Sequence, residues 1–500
     1  MRKLLLGTLF LSMVCMLWWA AIMAQDATEQ KPAGMREQAQ EPAPAKARGQ
    51  SPKDGPDQAR EQEEEQAEEE VEEEEVTERP DAPETPENKC VACHREATPQ
   101  IVSDWELSKH YQNDVTCDNC HGSLHMDRND SARAQPAVPE KCAQCHADRV
   151  EQFNKGKHSL AWMSMNSMPT VHWQPMAQIE GLKGCGGCHR IGMKSDGVVK
   201  DLVSKKSGGG VSSCDCCHTR HVFSVDEAGA PQACQTCHMG MDHPQWEMYS
   251  SSKHGVRFLL KQSKVLPEEA AAPACQTCHM PEGNHAVRTA WGYLGIRLPL
   301  PEDAKWAADR TTILQALGVL DSSGAPTPRM DVLTAADIWR STREGWEAQR
   351  AEMLKICSQC HSAGFARAEL EKGDGMIREA DRLMADAIRT VGQLYAEGTL
   401  KKPSVYPQVF PDLLAFHDAP TVIEQKLFLM FLEYRMRTFK GAFHANPDYA
   451  FWYGWSPMQR SLTEIKERAA EMGAAHKAST GTAAAGKAAP APAAAAKKKK

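Results

Sequence analysis

Residues 234–238 read Cys-Gln-Thr-Cys-His, and residues 275–279 read Cys-Gln-Thr-Cys-His again, giving Cys234/Cys237-His238 and Cys275/Cys278-His279. The same Cys-x-x-Cys-His arrangement stands at Cys90/Cys93-His94, Cys117/Cys120-His121, Cys142/Cys145-His146, Cys185/Cys188-His189, Cys214/Cys217-His218 and Cys357/Cys360-His361. Eight copies absorb 16 of the 18 cysteines. In this motif two thiols form thioethers to the vinyl groups of haem c and the adjacent imidazole binds iron. Zinc ribbons and redox-active Cys-x-x-Cys pairs compete for the same cysteines, but neither needs the histidine. With 19 His in 500 residues, chance would place one after a given pair roughly 4% of the time. The sequence therefore predicts eight covalently bound haem c groups. Of the two cysteines left over, Cys15 falls in the apolar N-terminal stretch. Cys216, inside Cys214-Asp-Cys216-Cys217-His218, reads as a free thiol packed against a haem.

Outward from the motifs, the chain changes character three times. Arg2 and Lys3 precede an uncharged stretch, Leu4 to Ala24, which ends in Ile22-Met23-Ala24. That is the pattern of an export signal over residues 1–24 cleaved before Gln25, with an uncleaved anchor as the alternative. Export to the periplasm or an equivalent compartment suits haem c, whose attachment in bacteria is extracytoplasmic. Residues 25–88 include the acidic run Glu61 to Glu75 and almost nothing apolar, so they read as a disordered spacer. Residues 476–500 form a Lys- and Ala-rich low-complexity tail. Between them, residues 89–330 carry seven motifs on what should be short helices and loops. Residues 331–475 carry the eighth, together with long helices. Ile377, Met384, Ile388, Val391 and Tyr395 recur at helical spacing, and 421–443 is a second apolar-rich run. The expected fold is mainly α, a multihaem cytochrome c core with long C-terminal helices.

Most of the formal net charge of −8 comes from the ends. Residues 89–475 hold 43 basic and 45 acidic side chains, so a nucleic-acid partner has no electrostatic basis. A mean hydropathy of −0.52 excludes a polytopic membrane protein. Aromatic residues make up only 6% of the chain, a shortage that large apolar cofactors would offset by filling the core.

Eleven histidines lie outside the motifs: His110, His125, His158, His172, His221, His243, His254, His285, His417, His444 and His476. Ser-Lys-His110 and Ser-Lys-His254 each end a short polar segment. His125 and His221 follow a motif within four residues, and His444 lies in Gly-Ala-Phe-His-Ala-Asn-Pro. Each is either an ordinary polar side chain or the second axial ligand of an iron.

Cys234-Gln-Thr-Cys237-His238-Met-Gly-Met-Asp242-His243-Pro-Gln-Trp-Glu-Met-Tyr249, running on to Ser-Lys-His254-Gly, resembles the hydroxylamine oxidoreductase family of octahaem c-type cytochromes. Cys-His-Thr-Arg-His221, Arg-Thr-Ala-Trp-Gly-Tyr293 and the run from His444 to Met458 agree with it, and the similarity covers residues 89–475. The resemblance implies seven haems with two histidine ligands and a fourth, on Cys185, Cys188 and His189, with an open distal side. It implies His110, His125, His158, His221, His254, His285 and His444 as the seven distal ligands. His172, His417 and His476 are then ordinary. Asp242 and His243 become an acid–base pair over the open haem, with Tyr293 nearby. The implied chemistry is multi-electron redox of hydroxylamine, nitrite or a related small nitrogen compound. A soluble or membrane-bound cytochrome, or a quinone-linked protein, would exchange the electrons. The resemblance also implies a homotrimer built on the C-terminal helices.

Two departures from the family pattern bear on direction. Oxidising members bond a neighbouring subunit's tyrosine to the catalytic haem, in a Gly-Gly-Trp-x-Tyr context. Here residues 448–454 read Asp-Tyr-Ala-Phe-Trp-Tyr-Gly, one residue shorter. Phe451 or Trp452 falls in the tyrosine's place, with Tyr453 and then Tyr449 as the candidates for a cross-link. Without one, the resemblance leans to reduction. Residues 190–213, rich in Lys, Gly and Ser, separate motifs four and five more widely than the family pattern, as an entrance loop or an inert insertion. The alternative function is a non-catalytic electron-transfer cytochrome in which all eight irons are six-coordinate.

Overall fold

In the computed structural model the two halves of the haem-bearing chain are built on different principles. The described residues are 88–135, 137–163, 174–177, 183–192, 214–287, 298–335, 342–404, 409–415 and 418–485, with isolated positions 179, 197, 200, 201, 204, 296 and 406. All lie within the unit Glu84–Lys500. The export-signal and acidic-spacer readings, Tyr293, His172, His417, most of 190–213 and the end of the Lys-rich tail fall outside them.

The described residues of 88–287 form short helices joined by tight turns. They include α1 (Lys89–Ala97), α2 (Pro139–Lys155), α3 (Gln245–Ser250) and α4 (Lys253–Gln262). Motif one lies on α1. Motif three lies on α2, where His146 leaves helical geometry at φ −116° and ψ 41°. Among the described residues apolar burial here is sparse, little more than Val91, Val102, Phe153, Leu160, Met163, Ile191, Met248 and Tyr249. These side chains do not form a continuous core.

The C-terminal half has one. Helices α5 (Ala304–Ala316), α6 (Arg343–Cys357), the 34-residue α7 (Ala363–Ala396), α8 (Val422–Leu429), α9 (Met436–Phe443) and α10 (Ser456–Ala485) pack lengthwise. Ile377, Met384, Ile388 and Val391 of α7 are each at most 1% exposed, as the helical spacing predicts. The run 421–443 is interrupted: α8 and α9 are joined by a π turn at Met430–Arg435, and a second π turn at Tyr449–Trp455 leads into α10. The second π turn crosses α9 closely. A Cβ on Gly454 would lie 2.5 Å from the Thr438 nitrogen, and one on Gly441 would lie 2.9 Å from the Ala450 nitrogen. Only glycine permits that approach. Among the described residues there is no strand, only the isolated bridge Leu320–Pro326. No described helix is long and apolar enough to cross a membrane.

Inside this core Asp381 is fully buried between two arginines. Arg310 Nε donates to its Oδ2 at 2.7 Å, Arg435 NH2 to its Oδ1 at 2.7 Å, and Trp306 Nε1 to Oδ2 at 2.8 Å. Arg435 also lies over the rings of Phe431 and Phe439 at 5.6 and 5.8 Å. The cluster ties α5, α7 and the first π turn together.

Candidate haem-binding and active site

The two Ser-Lys-His stretches fold alike, and in both cases the serine begins a helix rather than ending a segment. Ser108 and Ser252 are N-caps, accepting from the Tyr111 and Gly255 main-chain nitrogens at 3.1 and 3.2 Å. This places His110 and His254 as the second residue of their helices. His110 faces His146 with ring centroids 6.2 Å apart, and His254 faces His361 at 6.1 Å.

Five further motif histidines face a non-motif histidine in the same way. His94 faces His125 at 6.1 Å, His121 faces His221 at 6.3 Å, and His218 faces His285 at 6.2 Å. His238 faces His158 at 5.9 Å, and His279 faces His444 at 6.4 Å. Two imidazoles ligating one metal from opposite sides, each nitrogen about 2 Å from it, have centroids on the order of 6 Å apart. Packed rings in general fall in a similar range. The spacing gains meaning from its repetition, each time with one motif ring and one non-motif ring. Among the described residues no three His, Cys, Asp or Glu side chains converge on one point. The pairs fall short of a structural zinc site's four donors and suit a group that supplies the iron's other four.

The orientation of the rings fits as well. Nδ1 of His125 donates to Asp130 Oδ1 at 2.7 Å, that of His285 to the Gly283 oxygen at 2.9 Å, and that of His444 to the Lys440 oxygen at 2.7 Å. On the motif side, Nδ1 of His121 donates to the Gln135 oxygen and that of His189 to the Ala161 oxygen, both at 2.9 Å. A proton fixed on Nδ1 leaves Nε2 as the lone pair for a metal. Burial pushes His158 and His444 down to about 4 and His238 to about 3, so all three are neutral at physiological pH.

No disulfide joins the described cysteines, and neighbouring motifs lie against each other. The Cys142 and Cys214 thiols are in contact, as are Cys188 and Cys237, and Cys234 and Cys275. Motifs one and two, two and three, and five and six are within electrostatic reach through their thiols. Motifs seven and eight meet through Cys278, which is acted on by Cys357 and Cys360. The motifs form one connected chain with motif four joined to motif six. Cys93, Cys145 and Cys360 are exposed, whereas every other motif cysteine, Cys278 among them, is half-buried. Each of the three is the second thiol of its motif, in motifs one, three and eight. A thioether joins the rim of the macrocycle rather than its centre, so an attachment cysteine can stand at the protein surface while its partner thiol lies deeper. The sparse apolar core, the facing imidazoles and the adjoining thiols all fit covalently bound haem c. Cys216 lies against Arg190 and near Cys237, and burial pushes its thiol up to about 11.

His189 of motif four stands in different company. Asp242 and His243 both act on its charge, from the loop between motif six and α3. The two are hydrogen-bonded through His243 Nδ1 and Asp242 Oδ1, and both are about one-third exposed. His243 is also 6.3 Å from His238, nearly edge-on at 85°. His238 thus has two histidines within range, His158 and His243. Lys440, buried on α9, donates from Nζ to the Asp242 main-chain oxygen at 2.7 Å. Lys440 and Asp130 were not singled out from the sequence. Lys440 stands one helical turn before His444, a spacing that could have marked it. Of the other sequence candidates, the tilted ring of Tyr449 lies 5.2 Å from Tyr453, and Phe451 stacks on Trp455 at 5.0 Å. Phe451, Trp452 and Tyr453 are 41%, 62% and 56% exposed. His476 sits on α10, where its main-chain oxygen accepts from Ser479 Oγ at 2.8 Å.

Comparison with known proteins agrees with this framework. The family model described as "Seven times multi-haem cytochrome CxxCH" matches residues 209–293 and 330–405, and "Cytochrome c554 and c-prime" matches 54–122 and 141–219. A curated protein of Kuenenia stuttgartiensis, the "Probable nitrite reductase-hydroxylamine oxidoreductase fusion protein", is 27% identical over 476 residues. That match covers 77% of this chain and 51% of the relative, so the chain spans about half the relative's length. A chain of the K. stuttgartiensis reducing HAO-like protein complex superposes with a TM-score of 0.58 at 24% identity, covering 79% of this chain and 86% of that one. A hypothetical multihaem protein superposes with a TM-score of 0.56 at 21% identity, covering 78% and 96%. The fold and the motifs define a mainly helical multihaem c-type cytochrome. Within that class the chain is similar to the K. stuttgartiensis protein whose name joins nitrite reductase to hydroxylamine oxidoreductase, in keeping with the resemblance its sequence carries.

Proposed function

We propose that the chain carries eight haem c groups and acts as an oxidoreductase on hydroxylamine, nitrite or a related small nitrogen compound, at the haem held by Cys185, Cys188 and His189. The observation that carries this reading is the partition of the motif histidines. Seven face His110, His125, His158, His221, His254, His285 and His444. The eighth, His189, lies within electrostatic reach of Asp242 and His243. When bound, haem c supplies an iron that ligates nitrogen and a series of one-electron carriers. The protein's own contribution is protons. Asp242 accepts from His243 Nδ1, which leaves His243 Nε2 to hold and hand over a proton at the distal side. Tyr293 belongs to the same proposed site.

The direction is proposed as reduction, because Phe451 and Trp452 offer no phenol oxygen at the cross-link position, and the Kuenenia relative's name joins nitrite reductase to hydroxylamine oxidoreductase. Tyr453 and Tyr449 remain the only phenols of that turn, and a haem peptide linked to either one would refute the unmodified haem. The exposed aromatic face Phe451–Tyr453 supports an interface with further copies, a homotrimer by resemblance. Electrons would pass to or from a cytochrome or quinone-linked protein, with the chain exported. The second reading, a pure electron carrier, rests on His243 standing 6.3 Å from His238.

Turnover of two variants separates these readings. With reduced dye and nitrite or hydroxylamine, Asp242→Asn and His243→Ala should each lower kcat on the order of 100-fold while haem content stays unchanged. If His243→Ala instead turns a low-spin haem high-spin, His243 is an axial ligand and the active site is misassigned.

A further inference from the structure

The Asp242–His243 pair sits on a loop, and a loop does not by itself hold two side chains to the tolerance proton transfer needs. Its tether comes from 198 residues further along the chain, where α9 presents Lys440. This lysine is 7% exposed, and an ammonium is costly to bury without partners. Nζ donates to the Asp242 main-chain oxygen at 2.7 Å, and the Asp242 carboxylate opposes, without cancelling, the lowering that burial imposes on the ammonium. A second clamp lies one turn on. Asn446 donates from Nδ2 to the Met248 oxygen and to Ser251 Oγ, both at 2.8 Å, fixing α3 behind the pair. The Lys440 carbonyl meanwhile accepts from His444 Nδ1. One residue therefore touches both the acid–base loop and a proposed axial ligand.

We propose that Lys440 is a positioning residue that fixes the Asp242–His243 pair over the open side of the motif-four haem. A hydrophobic residue of the same length would fill the space as well, so a lysine is needed only for its donor and its charge. The inference rests on the proposed active site and deepens it.

The test uses the haem-loaded full chain and begins with the wild type, in which a missing high-spin haem would sink the proposed function itself. Lys440→Met is then compared with Lys440→Arg, which keeps the donor and the charge. Lys440→Met should retain its haems and its high-spin signal, lose about 10- to 100-fold in kcat and change KM little. The N–O stretch of nitric oxide added to the reduced high-spin haem should shift in the same direction as in Asp242→Asn. Lys440→Arg should restore the stretch and most of kcat. An unchanged kcat and an unshifted stretch in Lys440→Met would overturn the inference. If Lys440→Met fails to load haem, Lys440→Arg decides alone: an unshifted stretch supports the inference, and a shifted one at full haem content overturns it.

Discussion

His110 and His254 owe their positions to the residue two before them. A serine hydroxyl caps the helix start, and the histidine follows on the first turn with its ring turned to His146 or His361. On the proposed ligation, His254→Ala should leave one iron without its distal ligand. It should convert one low-spin haem to high-spin at unchanged haem content, read by electron paramagnetic resonance. His243→Ala should leave that count unaltered. An unaltered count in His254→Ala would break the pairing with His361. At this scale the sequence was informative wherever the chemistry is local, as in the motifs, the Ser-Lys-His repeat and adjacent Asp242 and His243. It did not distinguish the exposed thiols of Cys93, Cys145 and Cys360 from their half-buried partners, because the motif is the same at every haem. It was silent about Lys440 and Asp130, whose importance depends on which atom lies opposite. Lys440 meets Asp242 only because α9 folds back across the haem-bearing half, and no local pattern records that contact.

Elements of the C-terminal bundle were legible where burial sets a period. Ile377, Met384, Ile388 and Val391 face the core along α7 as their spacing requires. Tyr395, on the same stripe, is only half-buried and donates its hydroxyl to Glu424. The π turns at 430–435 and 449–455 were not legible, because an extra residue in a helical turn leaves the apolar pattern nearly intact. Charge inside the bundle was also hidden, since Arg310, Asp381 and Arg435 are far apart in sequence. Asp381→Asn should destabilise the chain by about 3–5 kcal/mol, because it leaves two buried cations without their anion. The two arginines hold the Asp381 carboxyl below its ordinary value. Its contribution is therefore present above the unfolded value of about 3.9 and is lost as pH falls below that. Denaturant melts at pH 7 and at low pH should show the gap between variant and wild type closing in acid. A gap that persists in acid would assign the cost to packing instead.

For the whole molecule, the contrast between halves is the main physical fact. Among the described residues, those of 296–465 bury a continuous apolar cluster, whereas those of 88–287 bury few apolar side chains around seven of the eight motifs. On the proposed haem content, covalent haem would supply the core that the described side chains of this half do not, as the shortage of aromatics together with the motif count predicts. The exposed aromatic turn Phe451–Tyr453 makes a second claim at this scale, that copies of the chain meet there. Light scattering should give a trimer for the wild type and a smaller species for Trp452→Glu, and a wild-type monomer would remove the interface. The central claim is one open iron among eight, and counting spins in the oxidised protein against its covalent haem content tests it most directly. Eight haems per chain with seven low-spin and one high-spin centre is the predicted result. Eight low-spin centres, or fewer than eight haems, would contradict it.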